Sequence, residues 1–356
     1  AKTVHNLKLK IENLKLIVTV DNGIVAYEGI KKAKELGIDV IVVDHHTKGL
    51  KKLATSYVLH SAAVCGSALA YFFAKELGYK DGLELAAIGT IADQMPLIGM
   101  NRSLVKHGLS ALNETTRLGL LALFREAGIE EVGTYEVNYM IAPRINAMGR
   151  ISHGLDSLRL LCTKNTGKAR ELSFLLSKTN AERQKIVDDV LIKAKSLYRN
   201  NSNKLLVISH SSFHEGVIGL AAGKLTEEFY RPAIVLSKKG DVSKASARSI
   251  SGFNIIEAIR ETDLILEGGG HPMAAGFSIE TSKIEIFSQK INAIAEKLLT
   301  DELLERKLKV DMELDFEQIK TIRTFRIGKS YPNFYDCGCR SFGNKNCWAK
   351  RKTPQA

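Results

Sequence analysis

Apolar positions in this chain occur as short continuous runs alternating with longer stretches of helical spacing, and that order predicts an α/β fold. Leu14–Val20 is a β-branched run closed by Asp21-Asn22-Gly23, and it reads as a buried strand. Ile24–Leu36 has helical periodicity and stops at Gly37, after which Asp39–Val43 forms a second apolar run. Strand, helix and strand make a βαβ unit with a right-handed crossover, so the two strands are expected to be parallel and adjacent. Asp21 and Asp44 then stand at one edge of one sheet. Gly66–Leu77, Leu83–Ala92, Leu104–Leu112 and Leu118–Glu126 carry further helical patterns.

From residue 163 to 200 the chain turns polar, and Ala169–Tyr198 predicts a long connecting helix, interrupted near Thr179-Asn180. A second α/β pattern follows. Leu205–Ser209, Ala233–Ser237, Lys244–Ile250 and Met273–Ile279 are its strands, and Val217–Phe229 and Lys283–Leu299 its helices. Val310–Phe316 alternates apolar and acidic residues, which suits the first strand of a third, OB-like β module. Beyond Thr321 periodicity disappears and an unstructured tail is expected. The fold class is therefore α/β. A parallel-sheet domain spans residues 1–162, a connecting helix 163–200 and a smaller α/β domain 201–303. The start of the third module and a basic tail fill 304–356.

Composition adds limits. With 356 residues, 45% hydrophobic and 25% charged, the chain can build two or three cores. No apolar run is long enough to span a bilayer. The opening Ala1-Lys2-Thr3-Val4-His5 has no initiator Met and no apolar signal core, and reads as a fragment edge or a processed end. Five scattered cysteines, Cys65, Cys162, Cys337, Cys339 and Cys347, form no disulfide framework, so a reducing cytoplasm is expected. The last three include no fourth ligand for structural zinc. The net charge of +12 invites a nucleic-acid reading, but nine Lys/Arg and one acid lie between Lys320 and Ala356, leaving only +4 elsewhere. Placed residues, not bulk charge, must carry the functional argument.

The placed residues start at Asp44-His45-His46, where an all-apolar strand ends on one acid and two imidazoles. Carboxyl ends of parallel strands are where α/β proteins bind ligands. Asp21 alone would pass for a turn former, but it shares that edge. Asp44 can orient an imidazole, the usual arrangement behind a metal ligand, with His45 on metal and His46 facing a phosphate. Asp93 closes the helix Leu83–Ala92 at its negative end, where an acid is unfavourable without a nearby cation. Mixed carboxylate and imidazole ligands suit Mn²⁺ or Mg²⁺.

These motifs resemble those of the DHH phosphoesterase superfamily: Asp21-Asn22-Gly23, Asp44-His45-His46 and Ile91-Ala92-Asp93-Gln94-Met95-Pro96-Leu97. Ala142-Pro143-Arg144-Ile145-Asn146-Ala147-Met148-Gly149-Arg150 resembles the RecJ group of single-strand-specific exonucleases. His214-Glu215-Gly216-Val217-Ile218-Gly219, Ser246-Ala247-Arg248-Ser249 and Gly269-Gly270-His271-Pro272-Met273-Ala274-Ala275-Gly276 agree, the last resembling the DHHA1 signature. The resemblance implies a DHH domain followed by a DHHA1 domain, and two Mn²⁺ or Mg²⁺ ions. It places Asp21 as bridging ligand, His45 and Asp93 as further ligands, and His46 and Asp44 as the catalytic pair. It also implies 5′→3′ hydrolysis of single-stranded DNA in repair and recombination, with a single-strand-binding protein or a helicase as partners. Polarity comes from the resemblance alone. The family's earlier Asp-x-Asp is not found before Asp21, so an incomplete metal site and weak activity are expected of the chain as written.

The later segments hold the phosphate-binding candidates. Arg144 and Arg150 flank Asn146, and guanidinium forks match phosphate. Ser246 and Arg248 alternate on a strand and share a face. Gly268-Gly269-Gly270-His271 is expected as a loop whose backbone N–H groups cradle an anion. His214-Glu215-Gly216 opens a helix, whose start favours anions. Phe213 and Phe253 are the aromatics near these motifs, and neither is assigned to base stacking. Two rival functions remain: cleavage of short RNA oligomers or cyclic dinucleotides, and DNA binding without catalysis.

Overall fold

The computed structural model describes residues 2–49, 51–55, 57–198 and 203–307, together with 312–313 and 334–335. By packing it divides into two units, one of Ala1–Pro143 and Leu160–Ser173, the other of Arg144–Arg159 and Phe174–Lys309.

The first unit contains α1 (Lys2–Lys10), β1 (Leu16–Val20), α2 (Tyr27–Glu35), β2 (Asp39–Asp44), β3 (Val58–His60), α3 (Gly66–Glu76), α4 (Leu83–Ala92), α5 (Gly99–Asn113) and α6 (Leu118–Ala127). The three strands form a parallel sheet in the order β1-β2-β3. Val20 pairs with Val43, so the residues that follow emerge together at one edge. β2 is central, with Val42 and Val43 wholly buried; burying such a side chain contributes about 1.5–3 kcal/mol. The run ending at Val20 is not the buried strand it resembles, because Leu16, Val18 and Val20 remain 48%, 42% and 48% exposed. β1 pairs with β2 alone among the described strands, and these three side chains share the face of Ile41 and Val43, which α3 packs against at β2 but leaves half open at β1. β3 is an addition, three residues being too few to show a period.

A short α7 (Thr134–Glu136) passes through a π-helical stretch, Val137–Ile141, into α8 (Ala142–Ile151), which is followed by α9 (Leu155–Cys162) and α10 (Thr166–Tyr198). The Ala142–Arg150 motif is thus helical. α10 runs for 33 residues without the break expected near Thr179-Asn180. Both side chains are buried, so their polarity marks an inward-facing position and not an end.

The second unit adds β4 (Leu206–His210), α11 (Ile218–Phe229), β5 (Ala233–Ser237), β6 (Val242–Arg248), α12 (Ile255–Glu261), β7 (Ile265–His271), β8 (Ala274–Glu280) and α13 (Ile284–Leu298). Its sheet order is β4-β5-β6-β8-β7, parallel between β4 and β5 and antiparallel elsewhere. One face packs under α11 and the other under α12 and α13, where the Phe277 and Phe287 rings lie 5.2 Å apart. Phe213 and Phe253 are both core residues.

The glycine run is not the loop expected from its composition but part of β7. A Cβ on Gly268 would fall 2.7 Å from Phe277 Cβ, and one on Gly270, at φ +154°, 2.6 Å from Ala275 Cα. These two glycines let β7 lie close against β8, and the connection shrinks to Pro272-Met273. Of the expected third module, Met312–Glu313 pairs in parallel with Phe334–Tyr335. The remainder, including Cys337, Cys339, Cys347 and Trp348, lies outside the described residues. No described helix is long and apolar enough to cross a membrane.

Candidate active site and phosphate-binding surface

The strand tips of β1 and β2 are joined by backbone and side chain. Asp21 N–H donates to the Val43 carbonyl at 2.9 Å, holding Asp21 just past the end of β1 in a left-handed conformation, φ +58°. Aspartate tolerates that conformation better than most residues. Asp44 is 1% exposed and satisfied on both oxygens. Its Oδ2 accepts from Ile24 N–H at 2.9 Å. Its Oδ1 accepts from His45 N–H at 2.8 Å and His46 N–H at 3.2 Å, and meets His46 Nδ1 at 2.7 Å. The side chain thus fixes the loop after β1, the turn after β2 and one imidazole. Its oxygens are engaged within the protein, and Oδ1 holds the His46 ring.

His45 stands between two acids. Its Nε2 is 3.0 Å from Asp21 Oδ1 and its Nδ1 is 3.8 Å from Asp93 Oδ2. The His45 and His46 rings meet edge-on, 4.6 Å apart. Asp93 reaches the site because it is the C-cap residue of α4. Desolvation would raise the Asp44 carboxyl, but the Ile24 N–H and the His46 contacts outweigh it and hold it below the usual carboxylate range. The bond to Asp44 raises the His46 imidazole, against a smaller opposing effect of burial. Burial raises Asp93, His45 opposes that, and the like charge of Asp21 adds to it.

One ligand atom each from Asp21, His45 and His46 lies within 4.8 Å of the others. Two carboxylates and two imidazoles that converge, with like charges facing one another, form a donor set of the kind a divalent ion stabilises. The donor chemistry fits Mn²⁺ or Mg²⁺: Asp21, His45 and His46 could each offer one ligand atom, and Asp93 stands 3.8 Å from His45 Nδ1. Among the described residues only Asp21, His45 and His46 draw together this closely, and Asp93 stands just outside them beside His45.

In the second unit, cross-strand register gathers the other candidates. Ser246 pairs with Gly276 and Gly276 with Gly269, while Arg248 pairs with Ala274 and Ala274 with His271. Directly paired residues share a face, so Ser246, Arg248, Gly269 and His271 occupy two neighbouring rows on the α11 side. Gly270 points to the opposite, core side. At the start of α11, a Cβ on Gly219 would lie 2.9 Å from Ser246 Oγ and 3.6 Å from an Arg248 guanidinium nitrogen. Gly216 crowds the Arg150 carbonyl, where a Cβ would come 2.9 Å from the carbonyl carbon. His214 Nδ1 accepts from Gly216 N–H at 3.1 Å. Arg144 Nε donates to Ser177 Oγ at 3.2 Å, which ties α8 to α10, and Asn146 is exposed.

Sequence reasoning missed Arg183. Desolvation lowers its guanidinium pKa, and the neighbouring positive charge of Arg150 adds to that. Desolvation and Arg150 likewise lower Arg248, and desolvation lowers Arg150. Arg150 has an exposed surface, yet protein atoms crowd it enough to limit its hydration. Arg183 Nε and the nearby Asn180 Oδ1 are buried with no hydrogen-bond partner. The signal was present in the spacing: Leu176, Asn180, Arg183 and Val187 follow the three-and-four rhythm of one helix face, and the two apolar members are buried. Arg150 lies close enough to Arg183 and to Arg248 to disfavour the charge on each, an arrangement that a bound anion would relieve.

Comparison with known proteins identifies both units. Residues 2–95 match the DHH family, N-terminal domain, and residues 202–297 the DHHA1 domain. The single-stranded-DNA-specific exonuclease RecJ of Bacillus subtilis is 38% identical over 332 residues, covering 87% of this chain and 42% of that protein. Its Escherichia coli counterpart is 32% identical over 338 residues, covering 83% and 59%. The chain thus spans about half the length of the curated relatives it matches. Among solved structures, RecJ of Thermus thermophilus in complex with Mn²⁺ has a TM-score of 0.82 at 30% identity, covering 94% of this chain and 53% of that one. An exonuclease RecJ bound to manganese has a TM-score of 0.70 at 33% identity, covering 85% and 80%. With its strand-tip acids and imidazoles on a DHH domain and Ser246 and Arg248 on a DHHA1 domain, the chain belongs to the RecJ family.

Proposed function

We propose that this chain is a divalent-metal-dependent exonuclease that hydrolyses single-stranded DNA from the 5′ end, in DNA repair and recombination. The observation that carries the reading is the convergence of Asp21, Asp93 and His46 on His45 at the strand tips. A guanidinium-rich surface in the same chain supports it, as do relatives named for that activity. Asp21, His45 and Asp93 would hold Mn²⁺ or Mg²⁺. The ion supplies charge neutralisation at the scissile phosphate and makes water a stronger nucleophile at neutral pH. Asp44 keeps the His46 ring turned by its Nδ1 bond, leaving Nε2 for a phosphate oxygen or the attacking water. Arg150, Arg183, Arg248 and Ser246 hold the strand by its phosphates, with Gly269 and His271 on the same sheet face and Arg144 and Asn146 as further candidates of the same unit, while Gly270 serves the packing of β7 on β8. Single-strand-binding protein or helicase partners and a reducing cytoplasm complete the proposal, the last supported by the free thiols Cys65 and Cys162.

The test is degradation of a long single strand labelled at either end. With Mn²⁺, a 5′ label should appear at once in mononucleotides and a 3′ label only late; chelation should stop both. A preference for dinucleotides over long strands would support the short-substrate rival. Strand binding with no metal-dependent cleavage would support the non-catalytic one.

The phosphate reading makes a separate prediction. Arg248→Ala should weaken single-strand binding at low salt for every sequence tried. It should also flatten the slope of log affinity against log salt by about 0.7, one phosphate contact on a single strand. A weakened affinity with an unchanged slope would mean that Arg248 acts through the fold.

A further inference from the structure

We infer that Gly66 is a positioning residue for the metal site, keeping the Asp21 carboxylate against His45. This rests on the metal reading above and adds to it the element that sets where Asp21 can go. Gly66 is the first residue of α3, and its missing side chain is the space that Asp21 fills. A Cβ there would lie 2.6 Å from Asp21 Cγ and 2.7 Å from Asp21 Cβ. The carboxylate therefore rests on the start of a helix of 11 residues, where unpaired N–H groups favour negative charge.

The same turn of α3 spaces the second acid. Ser67 packs on Gly89 of α4, where a Cβ would lie 2.6 Å from Ser67 Cβ. Gly89 O accepts from Asp93 N–H at 2.9 Å. Gly66 and Ser67 thus stand between Asp21 on one side and the helix carrying Asp93 on the other. Both acids face His45, so this turn helps set their separation.

What a substitution would move decides the argument. The obstructing atoms at Gly66 belong to a side chain that is 57% exposed, not to packed backbone. Turning Asp21 outward clears its carboxylate from an alanine methyl but leaves the Asp21 Cβ 2.7 Å away, so the tip of β1 or the first turn of α3 must also shift slightly. Against that, alanine is the better helix residue. The consequence falls first on the ligand, since Asp21 leaves the side of His45.

The experiment is Mn²⁺ titration of the whole chain, wild type and Gly66→Ala, read by the free-ion electron paramagnetic resonance signal, with Tm measured in chelator. Gly66→Ala should weaken Mn²⁺ binding at least about tenfold, the lower end of what loss of a ligand-orienting neighbour costs. Its Tm should fall only slightly, and metal-free affinity for a single strand should be unaffected. Wild-type Mn²⁺ affinity in the variant overturns the inference, and so does an affinity loss that comes with a large fall in Tm or with weakened metal-free strand affinity. A wild-type chain that binds no Mn²⁺ at all would instead refute the metal reading itself.

Discussion

Asp21→Asn is expected to lower metal-dependent cleavage of single-stranded DNA at least about a hundredfold, beyond what losing a mere orienting partner costs. Single-strand affinity should stay near wild type, because the guanidinium surface belongs to the second unit. Asparagine is the informative replacement. Asp21 sits at φ +58°, a conformation asparagine also tolerates, so backbone strain is not added. The side chain keeps its shape and loses its charge. At 3.0 Å from His45 Nε2, that charge is one of the two carboxylates available to a cation. Cleavage rate, Mn²⁺ affinity and strand affinity should be measured together. Undiminished cleavage would remove Asp21 from the ligand set. Loss of strand binding in parallel would show that the two surfaces are not separable.

How much of this was legible in the sequence depends on the distance over which each property is decided. The strand tips were readable because Val40-Ile41-Val42-Val43 has no polar position until Asp44, and a register follows once two parallel strands are adjacent. Asp93 was readable because an acid at a helix C-terminus is locally unfavourable. Ser246 and Arg248 share a face by strand alternation alone. What stayed hidden depends on contacts between segments. Asp44 could orient either imidazole on local grounds, and the bonds from Ile24 and His46 decide for His46. Gly268-Gly269-Gly270 has a loop's composition, but Phe277 and Ala275 require those glycines within a sheet. Thr179-Asn180 looked like a helix break because buried polar residues and helix ends share the same residue types. Gly66 has no side chain to notice, and its role appears only when Asp21 is placed above it.

Asp44→Ala is expected to reduce the unfolding free energy of the metal-free chain by about 3 kcal/mol, since the buried Ile24 N–H and the N–H of His45 lose their acceptor. Asp44→Asn should cost less, because an amide retains one acceptor oxygen while its NH₂ faces a donor. The pH dependence separates the carboxylate's two roles. Asp44 has a lowered pKa, so its contribution is present above the ordinary 3.8 and is lost as pH falls through the folded value. His46 has a raised pKa, so its contribution is full below the ordinary 6.5 and fades as pH rises through the folded value. The gap between wild type and Asp44→Ala should therefore be widest between those two ordinary values and narrow on either side. The alkaline decrease should be the smaller one, because the His46 side chain is 49% exposed and solvent screens its charge. Urea unfolding in chelator at pH 5.5 and 8.5 measures that decrease. A gap of equal size at both values would mean that the carboxylate gains nothing from the charge on the His46 ring.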